Sequence, residues 1–226
     1  MVKVRYLGHS AFQLFGSKGI VLIDPYLRGN PKASTNPEEI EADVVLVTHA
    51  HGDHLGDAVE IAKKNDAVIV ATFELATYCE NKGAKVLDGH FGGVITTDVC
   101  KVKLFPAVHS SSISNRLVGM PSSFVIEIDS KCIYHAGDTA LFSDMSLIGE
   151  EFDLDVAMLP IGGHYTMGID DAVRAQRRLK AKVVVPMHYN THDRILADPK
   201  EFKDKLERSG PGKCVILIPG QDFEVA

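Results

Sequence analysis

Short apolar runs separated by polar segments divide the chain into an alternating first part, a β-rich middle and an alternating last part. The run Val44–Val47 is continuously apolar and mostly β-branched, which is typical of a strand buried on both faces. Helical spacing follows at Asp57–Lys64 and at Phe73–Asn81. This succession of strands and helices predicts an α/β unit. The other strands predicted in this part are Val2–Leu7, Ala11–Phe15, Ile20–Ile23 and Val68–Ala71.

The middle of the chain, residues 86–135, has short extended runs and no helical spacing, which predicts an antiparallel meander. The last part returns to alternation, and its second helix begins with an aspartate N-cap followed by proline at the first helical position. Two sheets between outer helices accommodate this order. We therefore predict one domain over residues 1–226, of mixed α/β and α+β class, built as a four-layer αβ/βα sandwich. The predicted elements are strands at Lys101–Phe105, Ser123–Ile128, Cys132–Tyr134, Val156–Leu159, Val183–Val185, Val215–Ile218 and Phe223–Val225, and helices at Asp170–Leu179 and from Asp198 to Gly210.

Composition and charge restrict the class of protein. With 45% hydrophobic residues and a net charge of −6, the chain has enough apolar material for a core and too little positive charge for a general nucleic-acid binder. No apolar run reaches the roughly 18 residues of a membrane span. The start of the chain has no apolar signal-peptide core, and the four cysteines form no CxxC pair. Both features predict a cytoplasmic protein with reduced thiols.

Four side chains that can bind a metal follow the predicted strand Val44–Val47 almost directly, in a segment with the order His-x-His-x-Asp-His. His49 and His51 are two positions apart, so an extended backbone points both rings to one side. Gly52 permits a sharp bend, so Asp53 and His54 can face a second ion. Imidazole and carboxylate ligands suit Zn²⁺ first, with Mn²⁺ or Fe²⁺ as alternatives.

This segment resembles the metallo-β-lactamase superfamily, and three further motifs of that superfamily follow in the same order. They are Pro106-Ala107-Val108-His109-Ser110, Gly137-Asp138-Thr139 and Pro186-Met187-His188. The resemblance implies the metallo-β-lactamase fold and two divalent metal ions per chain. It also implies a set of ligands: His49, His51 and His109 for the first metal, Asp53, His54 and His188 for the second, and Asp138 as the bridge. His192, four residues after His188, remains an alternative to it.

The opening segment Leu7–Phe12 and the pair Asp24-Pro25 resemble bacterial and archaeal metal-dependent hydrolases that are similar to ascorbate-6-phosphate lactonase. This resemblance implies a hydrolase that attacks a small-molecule ester, lactone or phosphodiester with hydroxide generated at the metal ions, because two ions lower the pKa of a bound water. Asp53 is predicted to be catalytic as well as ligating, since its carboxylate can orient that water. His164 is predicted to be the general acid, with an ordinary loop histidine as the alternative.

Two other functions remain open. The tRNA 3′-end-processing endonuclease shares the ligand motifs and has a catalytic histidine upstream of the last ligand, where His164 stands here. The chain lacks the long basic arm with which that enzyme holds tRNA, and the net charge of −6 opposes nucleic-acid binding. The other alternative is a metal-binding or sensing protein without turnover. The intact ligand set with Asp53 disfavours it, because chemistry needs that set and mere binding does not.

Further residues are predicted at the substrate site. His9 follows the first strand and either lines the site or makes a structural hydrogen bond. His135 precedes the predicted bridging aspartate by a short step, where it contacts the substrate or supports the ligands. Arg116 either receives an anionic group of the substrate or is merely solvated, as most loop arginines are. His90 and His192 are predicted to lie on the surface, and the sequence allows a homo-oligomer without defining one.

Overall fold

Two seven-stranded sheets and a two-stranded ribbon contain all the strands of the computed structural model, which describes residues 1–226. The strands, numbered in chain order, are β1 (Val2–Gly8), β2 (Ala11–Gly16), β3 (Gly19–Ile23), β4 (Val44–Leu46), β5 (Val68–Thr72), β6 (Lys85–Gly89), β7 (Val94–Thr96), β8 (Lys101–Pro106), β9 (Ser112–Ile113), β10 (Arg116–Leu117), β11 (Ser122–Ile128), β12 (Lys131–His135), β13 (Val156–Pro160), β14 (Val183–Met187), β15 (Lys213–Cys214) and β16 (Asp222–Val225).

Each large sheet joins a parallel part to an antiparallel part. The first sheet has the spatial order β16-β1-β2-β3-β4-β5-β6, and the second has the order β15-β14-β13-β12-β11-β8-β7. Neighbours from β3 to β6 and from β12 to β15 run parallel. Strands β7, β8, β11 and β12 pair antiparallel, as the sequence predicted for the middle of the chain. Strand β16 pairs with β1, so the last strand returns to the first sheet.

Six α-helices accompany the sheets, together with two single 3₁₀ turns at Pro37–Glu39 and Asp193–Ile195. The helices are α1 (Gly52–Leu55), α2 (Ala58–Asn65), α3 (Phe73–Glu80), α4 (Met145–Glu151), α5 (Ile169–Leu179) and α6 (Pro199–Ser209). Helices α2 and α3 pack on the first sheet, α5 and α6 pack on the second, and α4 packs on α5. This arrangement confirms the predicted four-layer αβ/βα sandwich. None of the helices is long and apolar enough to cross a membrane.

The apolar run at β4 explains how the layers are joined. Val44 and Leu46 belong to a core of 42 buried residues that fills the space between the sheets and continues under the helices of the second sheet. Val45 and Val47 belong to a separate core of 20 buried residues shared with α2 and α3. Successive side chains of a strand point to opposite faces, so this strand is buried on both. Each fully buried aliphatic side chain contributes about 1.5–3 kcal/mol relative to exposure.

The predicted strand at Val215–Ile218 is wrong. Lys213–Cys214 pairs with β14, and the N–H of Val215 still donates to the carbonyl of Val184 at 2.9 Å, but residues 216–218 lie outside the ladder. The chain crosses here from the second sheet to the first, where the N–H of Gly220 donates to the carbonyl of Tyr6 at 2.7 Å. A segment that passes between the two sheets cannot stay in the ladder of either.

Helix α4 is an element that the sequence did not predict. Gly149 lies inside it, and glycine lowers helix propensity by about 1 kcal/mol. A β-carbon at Gly149 would lie 2.2 Å from the carbonyl oxygen of Arg178. The glycine is therefore what lets α4 approach the end of α5.

Candidate metal centre

The candidate ligands lie on loops at the carboxyl ends of four strands, the usual position of a site in an open α/β sheet. The segment after β4 carries His49 and His51 and continues into α1, which carries Asp53 and His54. The other candidates are single residues after β8, β12 and β14, namely His109, Asp138 and His188. Strand β4 belongs to the first sheet and the others to the second, so both sheets contribute to one site.

The sequence predicted a bend at Gly52, and the structure instead begins α1 there. The backbone of His51 is still extended, with φ −64° and ψ 148°. The change from extended to helical backbone after His51 separates the pair His49 and His51 from the pair Asp53 and His54. As a result, His51 and Asp53 belong to different groups of ligand atoms, while His49 and His54 also share a group.

The structure brings all seven predicted ligands together in three overlapping groups. Within each group, one ligand atom per residue lies within 4.8 Å of all the others. The groups are His49, His51 and His109; His9, Asp53, His54 and His188; and His49, His54 and Asp138. The first two groups match the ligand sets predicted for the first and second metals, with His9 added to the second. His192 is in none of them, so the geometry favours His188 over this alternative.

Asp138 contacts both of the predicted ligand sets. Its Oδ1 lies 3.2 Å from Nε2 of His54, and its Oδ2 lies 3.2 Å from Nε2 of His188 and 3.5 Å from Nε2 of His109. Burial alone would raise the pKa of Asp138, but the charges of His188 and His54 outweigh burial and hold the pKa well below its ordinary value. Asp138 is therefore an anion at neutral pH, the form in which a carboxylate binds a metal.

Several buried atoms of this cluster make no hydrogen bond of acceptable geometry, although two of them, Nε2 of His54 and Oδ1 of Asp138, lie 3.2 Å apart. The others are both ring nitrogens of His188. Leaving a buried polar atom unsatisfied costs about 1–3 kcal/mol, so such atoms usually mark a bound water or ion. Imidazole nitrogens and carboxylate oxygens are donors that Zn²⁺, Mn²⁺ and Fe²⁺ accept. The residues present therefore fit divalent cations.

The rings of the first set are ready to act as ligands. Burial lowers the pKa of His49 well below its ordinary value, so this ring is neutral. Its Nε2 lies 3.0 Å from Nδ1 of His51. A neutral imidazole offers a lone pair to a metal without first losing a proton.

Asp24 holds the ring of His54 from behind. This fully buried carboxylate follows β3, and its Oδ2 accepts hydrogen bonds from Nδ1 of His54 and from Oγ1 of Thr48, both at 2.7 Å. Its Oδ1 accepts the backbone N–H of Thr48 at 2.8 Å. Because Nδ1 of His54 donates to Asp24, Nε2 is left to face the cluster. From the sequence alone, Asp24 was only part of a family motif, and its contact with His54 requires β3 and β4 to be neighbours.

His9 is fully buried beside Asp53. Its Nε2 lies 3.2 Å from Oδ2 of Asp53, and its Nδ1 lies 2.9 Å from Oγ1 of Thr191. Burial lowers the pKa of His9 to about 4, so the ring is neutral at neutral pH. The residue thus borders the site and also makes buried hydrogen bonds, the two roles that the sequence left open.

His135 lies behind the site. It is fully buried, its Nε2 donates to the carbonyl of Ser10 at 3.0 Å, and its Nδ1 accepts the N–H of Gly137 at 3.2 Å. Neither ring nitrogen is free for a substrate. The geometry therefore favours support of the turn that carries Asp138 over the predicted substrate contact.

The structure does not bring the other two predicted residues into contact with the cluster. His164 is exposed in the loop between β13 and α5, and no hydrogen bond or ion pair joins it to a candidate ligand. The loop is nevertheless anchored beside the site, because the N–H of Met167 donates to the carbonyl of Thr139 at 2.9 Å. Arg116 is exposed on β10 and pairs with Ile113 in the ribbon.

Two further aromatic rings lie near His9: Tyr26, which the sequence did not predict at the site, and His192, which it kept only as an alternative ligand. The rings of Tyr26 and His192 lie 5.7 Å and 6.0 Å from the ring of His9, measured between centroids. Burial, followed by the charge of Asp53, raises the pKa of Tyr26. The sequence placed His192 on the surface, and the ring is exposed but stands at the edge of the cluster.

The fold and the His/Asp cluster define a metal-dependent hydrolase with the metallo-β-lactamase fold. A family model described as the beta-lactamase superfamily domain matches residues 3–188, and the chain belongs to this superfamily. It is 49% identical over 229 residues to the UPF0173 metal-dependent hydrolase of Pelotomaculum thermopropionicum, covering 99% of this chain and 100% of the relative. It is 51% identical over 227 residues to the corresponding protein of Thermococcus onnurineus, covering 100% of both chains.

A solved structure agrees with this assignment. Igni18, described as a novel metallo hydrolase from the hyperthermophilic archaeon Ignicoccus hospitalis, superimposes with a TM-score of 0.91 at 41% sequence identity. The match covers 99% of this chain and 98% of Igni18. The likeness therefore extends over the whole sandwich, including every loop that carries a candidate ligand.

Proposed function

We propose that this chain hydrolyses a small ester, lactone or phosphodiester with two divalent cations, Zn²⁺ in the first place and Mn²⁺ or Fe²⁺ as alternatives. The observation that carries the proposal is the convergence of seven His and Asp side chains from both sheets, several of whose buried nitrogen and oxygen atoms make no hydrogen bond of acceptable geometry within the protein. A structural zinc site needs four ligands and is closed. Here the side chain of Asp53 is 33% exposed, so one side of the cluster stays open.

The proposed ligand sets follow the observed groups. His49, His51 and His109 would hold the first ion, Asp53, His54 and His188 would hold the second, and Asp138 would lie between them. When bound, two divalent cations supply a Lewis-acidic centre that lowers the pKa of water and neutralises charge that develops on the substrate.

The two carboxylates at the centre of the cluster have different surroundings. The side chain of Asp53 is 33% exposed, whereas that of Asp138 is 4% exposed. Asp53 is therefore the carboxylate that water and substrate can reach, and it orients the attacking water by accepting a hydrogen bond. Asp138 contributes fixed negative charge that holds the histidines of both sets.

His164 is the proposed proton donor to the leaving group. Its loop is tied to the site at two points, through Met167 at Thr139 and through Gly162 at His188. A β-carbon at Gly162 would lie 2.3 Å from the carbonyl oxygen of His188, so the loop runs directly against the backbone of that candidate ligand. A proton donor must be unligated, and the exposed ring of His164 contacts none of the candidate ligands.

The test is a Zn²⁺ titration of chelator-stripped protein followed by a substrate screen. We expect the bound metal to approach two equivalents, and at least one ester, lactone or phosphodiester to be hydrolysed in a chelator-sensitive way. His188→Ala should lower the stoichiometry, whereas His90→Ala, outside the cluster, should not. Binding limited to one equivalent, with no further loss in His188→Ala, would refute the second ligand set. Hydrolysis of RNA alone would favour the nuclease alternative.

A further inference from the structure

The backbone of His9 adopts an uncommon conformation. The residue lies in the two-residue turn between β1 and β2, where Gly8 pairs with Ala11, and its φ is 59°. Few residues with a β-carbon occupy this left-handed region. Such conformations persist where surrounding contacts hold them, and they cluster at functional sites. A two-residue hairpin turn requires a positive φ at its first central residue, so the turn accounts for the backbone, and the turn fixes the direction of the His9 side chain.

The side chain of His9 forms a directed chain of hydrogen bonds. An ionised carboxylate can only accept, so Nε2 of His9 carries the ring proton and donates it to Oδ2 of Asp53, 3.2 Å away. In the neutral ring Nδ1 is then an acceptor, and the hydroxyl of Thr191 donates to it at 2.9 Å. The other acceptor near that hydroxyl, the carbonyl of Tyr189, is farther away at 3.4 Å. The donor order is therefore Thr191 to His9 to Asp53.

The main chain of His9 holds a second candidate ligand. Its carbonyl accepts the N–H of His188 at 2.7 Å and the hydroxyl of Tyr6 at 3.1 Å. Asp53 belongs to the first sheet's ligand loop and His188 follows β14 of the second sheet. One residue therefore contacts a candidate ligand from each sheet, one through its ring and the other through its backbone.

We propose that His9 is a positioning residue of the second metal site, which orients the carboxylate of Asp53 through its Nε2 proton while Thr191 selects the tautomer. The inference rests on the proposed role of Asp53 as a ligand. Removing a residue that orients a metal ligand typically lowers metal affinity about 10–100-fold. His9 would act on the second ion through Asp53 and would not bind it.

The first measurement uses NMR of the histidine ring nitrogens and needs no substrate. We expect Nε2 of His9 to be protonated and Nδ1 to be unprotonated in the zinc-free protein, and this state to persist when Zn²⁺ is added. Loss of the Nε2 proton on addition of Zn²⁺ would make His9 a ligand and overturn the proposal. Protonation of Nδ1 in place of Nε2 would also overturn it, because His9 could then not donate to Asp53.

The second measurement compares variants by Zn²⁺ titration against a competing chelator. Leucine has no hydrogen-bond donor, so His9→Leu should lower the affinity for the second equivalent of Zn²⁺ about 10–100-fold and leave the affinity for the first equivalent unchanged. His9→Gln has a similar length and keeps a donor near the position of Nε2, so it should restore most of that loss. Equal affinities in His9→Leu and wild type, or equal losses in His9→Leu and His9→Gln, would contradict a role for the donated hydrogen bond.

Thr191→Val provides a test that leaves His9 in place. It removes only the hydroxyl donor, so we expect a mixture of His9 tautomers and a weaker second equivalent, whereas Thr191→Ser should behave as wild type. An unchanged tautomer together with unchanged affinity in Thr191→Val would refute the proposed chain. Failure of the proposed function is a separate result, since it would appear as a wild type that binds fewer than two equivalents or hydrolyses nothing.

Discussion

The two halves of the candidate metal centre are built in different ways. The first sheet contributes four candidate ligands from one segment of six residues, His49 to His54, whereas the second contributes the candidates His109, Asp138 and His188 from three distant loops. One strand end and one helical turn place the half from the first sheet, so its geometry is local. The half from the second sheet, here called the assembled half, exists only after β8, β12 and β14 have paired, and closing long loops carries an entropic cost. A site of this kind depends on the contact between the sheets as much as on its ligands.

The halves are joined directly beneath the candidate ligands. The carbonyl of Thr48 accepts the backbone N–H of Ser122 at 3.0 Å and its hydroxyl at 2.9 Å. Thr48 immediately precedes His49, and Ser122 begins β11 of the second sheet. Asp138 then contacts histidines from both halves. The local half comes from the first sheet and the assembled half from the second, and substitutions at the residues that join them test whether the two halves depend on each other.

Replacement of Asp138 is expected to have the largest effect, because both halves share this carboxylate. Asp138→Ala should lower hydrolysis about 10⁴-fold, since metal-ion stabilisation of a reacting centre is worth several kcal/mol. Elemental analysis should show fewer than two equivalents of Zn²⁺. Asp66→Asn, an exposed residue paired with Lys85, should change neither quantity. Two retained equivalents with unchanged turnover would show that the halves do not share Asp138.

His164→Ala tests whether the assembled half also supplies the proton donor. We expect kcat to fall about 10²-fold on a substrate with a poor leaving group, at the lower end of general acid catalysis. Metal content should stay intact, and the loss should shrink when the leaving group needs no proton. The control is His90→Ala. A kcat within about twofold of wild type on the poor leaving group would make His164 structural.

Asp24→Asn tests the local half alone, because Asp24 contacts His54 and Thr48 but no ligand from the second sheet. We expect metal affinity to fall about 10–100-fold, since the partner of a ligating histidine is lost. Asp57→Asn is the matched control, because this buried carboxylate of the same half contacts no candidate ligand: it accepts the N–H groups of Leu27 and Arg28 and lies 3.7 Å from the Arg28 guanidinium. Equal affinities for the two variants in a chelator competition would refute the role of Asp24.

The smallest expected effect is a difference in the free energy of unfolding between two glycine-to-alanine variants. At Gly137, with φ +58°, a β-carbon would lie 2.8 Å from the Ser122 carbonyl oxygen and 3.0 Å from Cβ of Thr48. At Gly92, with φ +83°, nothing lies within 4 Å. Both alanine variants should lose about 1–2 kcal/mol of unfolding free energy, because a residue with a β-carbon is strained at a positive φ. Gly137→Ala should lose a further 1–2 kcal/mol or so to overpacking between the halves. Urea unfolding measures both, and equal losses would show that the halves do not pack at Gly137.

Local patterns predicted much of the fold and of the candidate site. The apolar run at Val44–Val47 indicated a strand buried on both faces, and alternation in both end parts indicated a layered sandwich. The spacing of His49, His51, Asp53 and His54 indicated a metal loop. Each of these inferences depends on neighbours in sequence, whose relative positions follow from strand and helix periodicity. The family resemblance extended the site to the three distant loops.

Contacts between distant segments account for what was missed or misplaced. Asp24 acts on His54 only because β3 and β4 pair side by side, and His135 is turned away from the site by hydrogen bonds to Ser10 and Gly137. Val215–Ile218 has strand composition, but the chain must cross between sheets at that point. No periodicity in the sequence contains such information, since it arises from the order of the strands.

The sequence by itself determined the ligand types, their order along the chain and the layered class of the fold, because these depend on side-chain chemistry and local periodicity. Only the tertiary structure decided which ring nitrogens face the cluster, which carboxylate stays open to water and which histidine holds Asp53. Those features depend on hydrogen bonds and burial between residues far apart in sequence, as between His9, Asp53 and Thr191. Their geometry exists only when the two sheets have packed against each other.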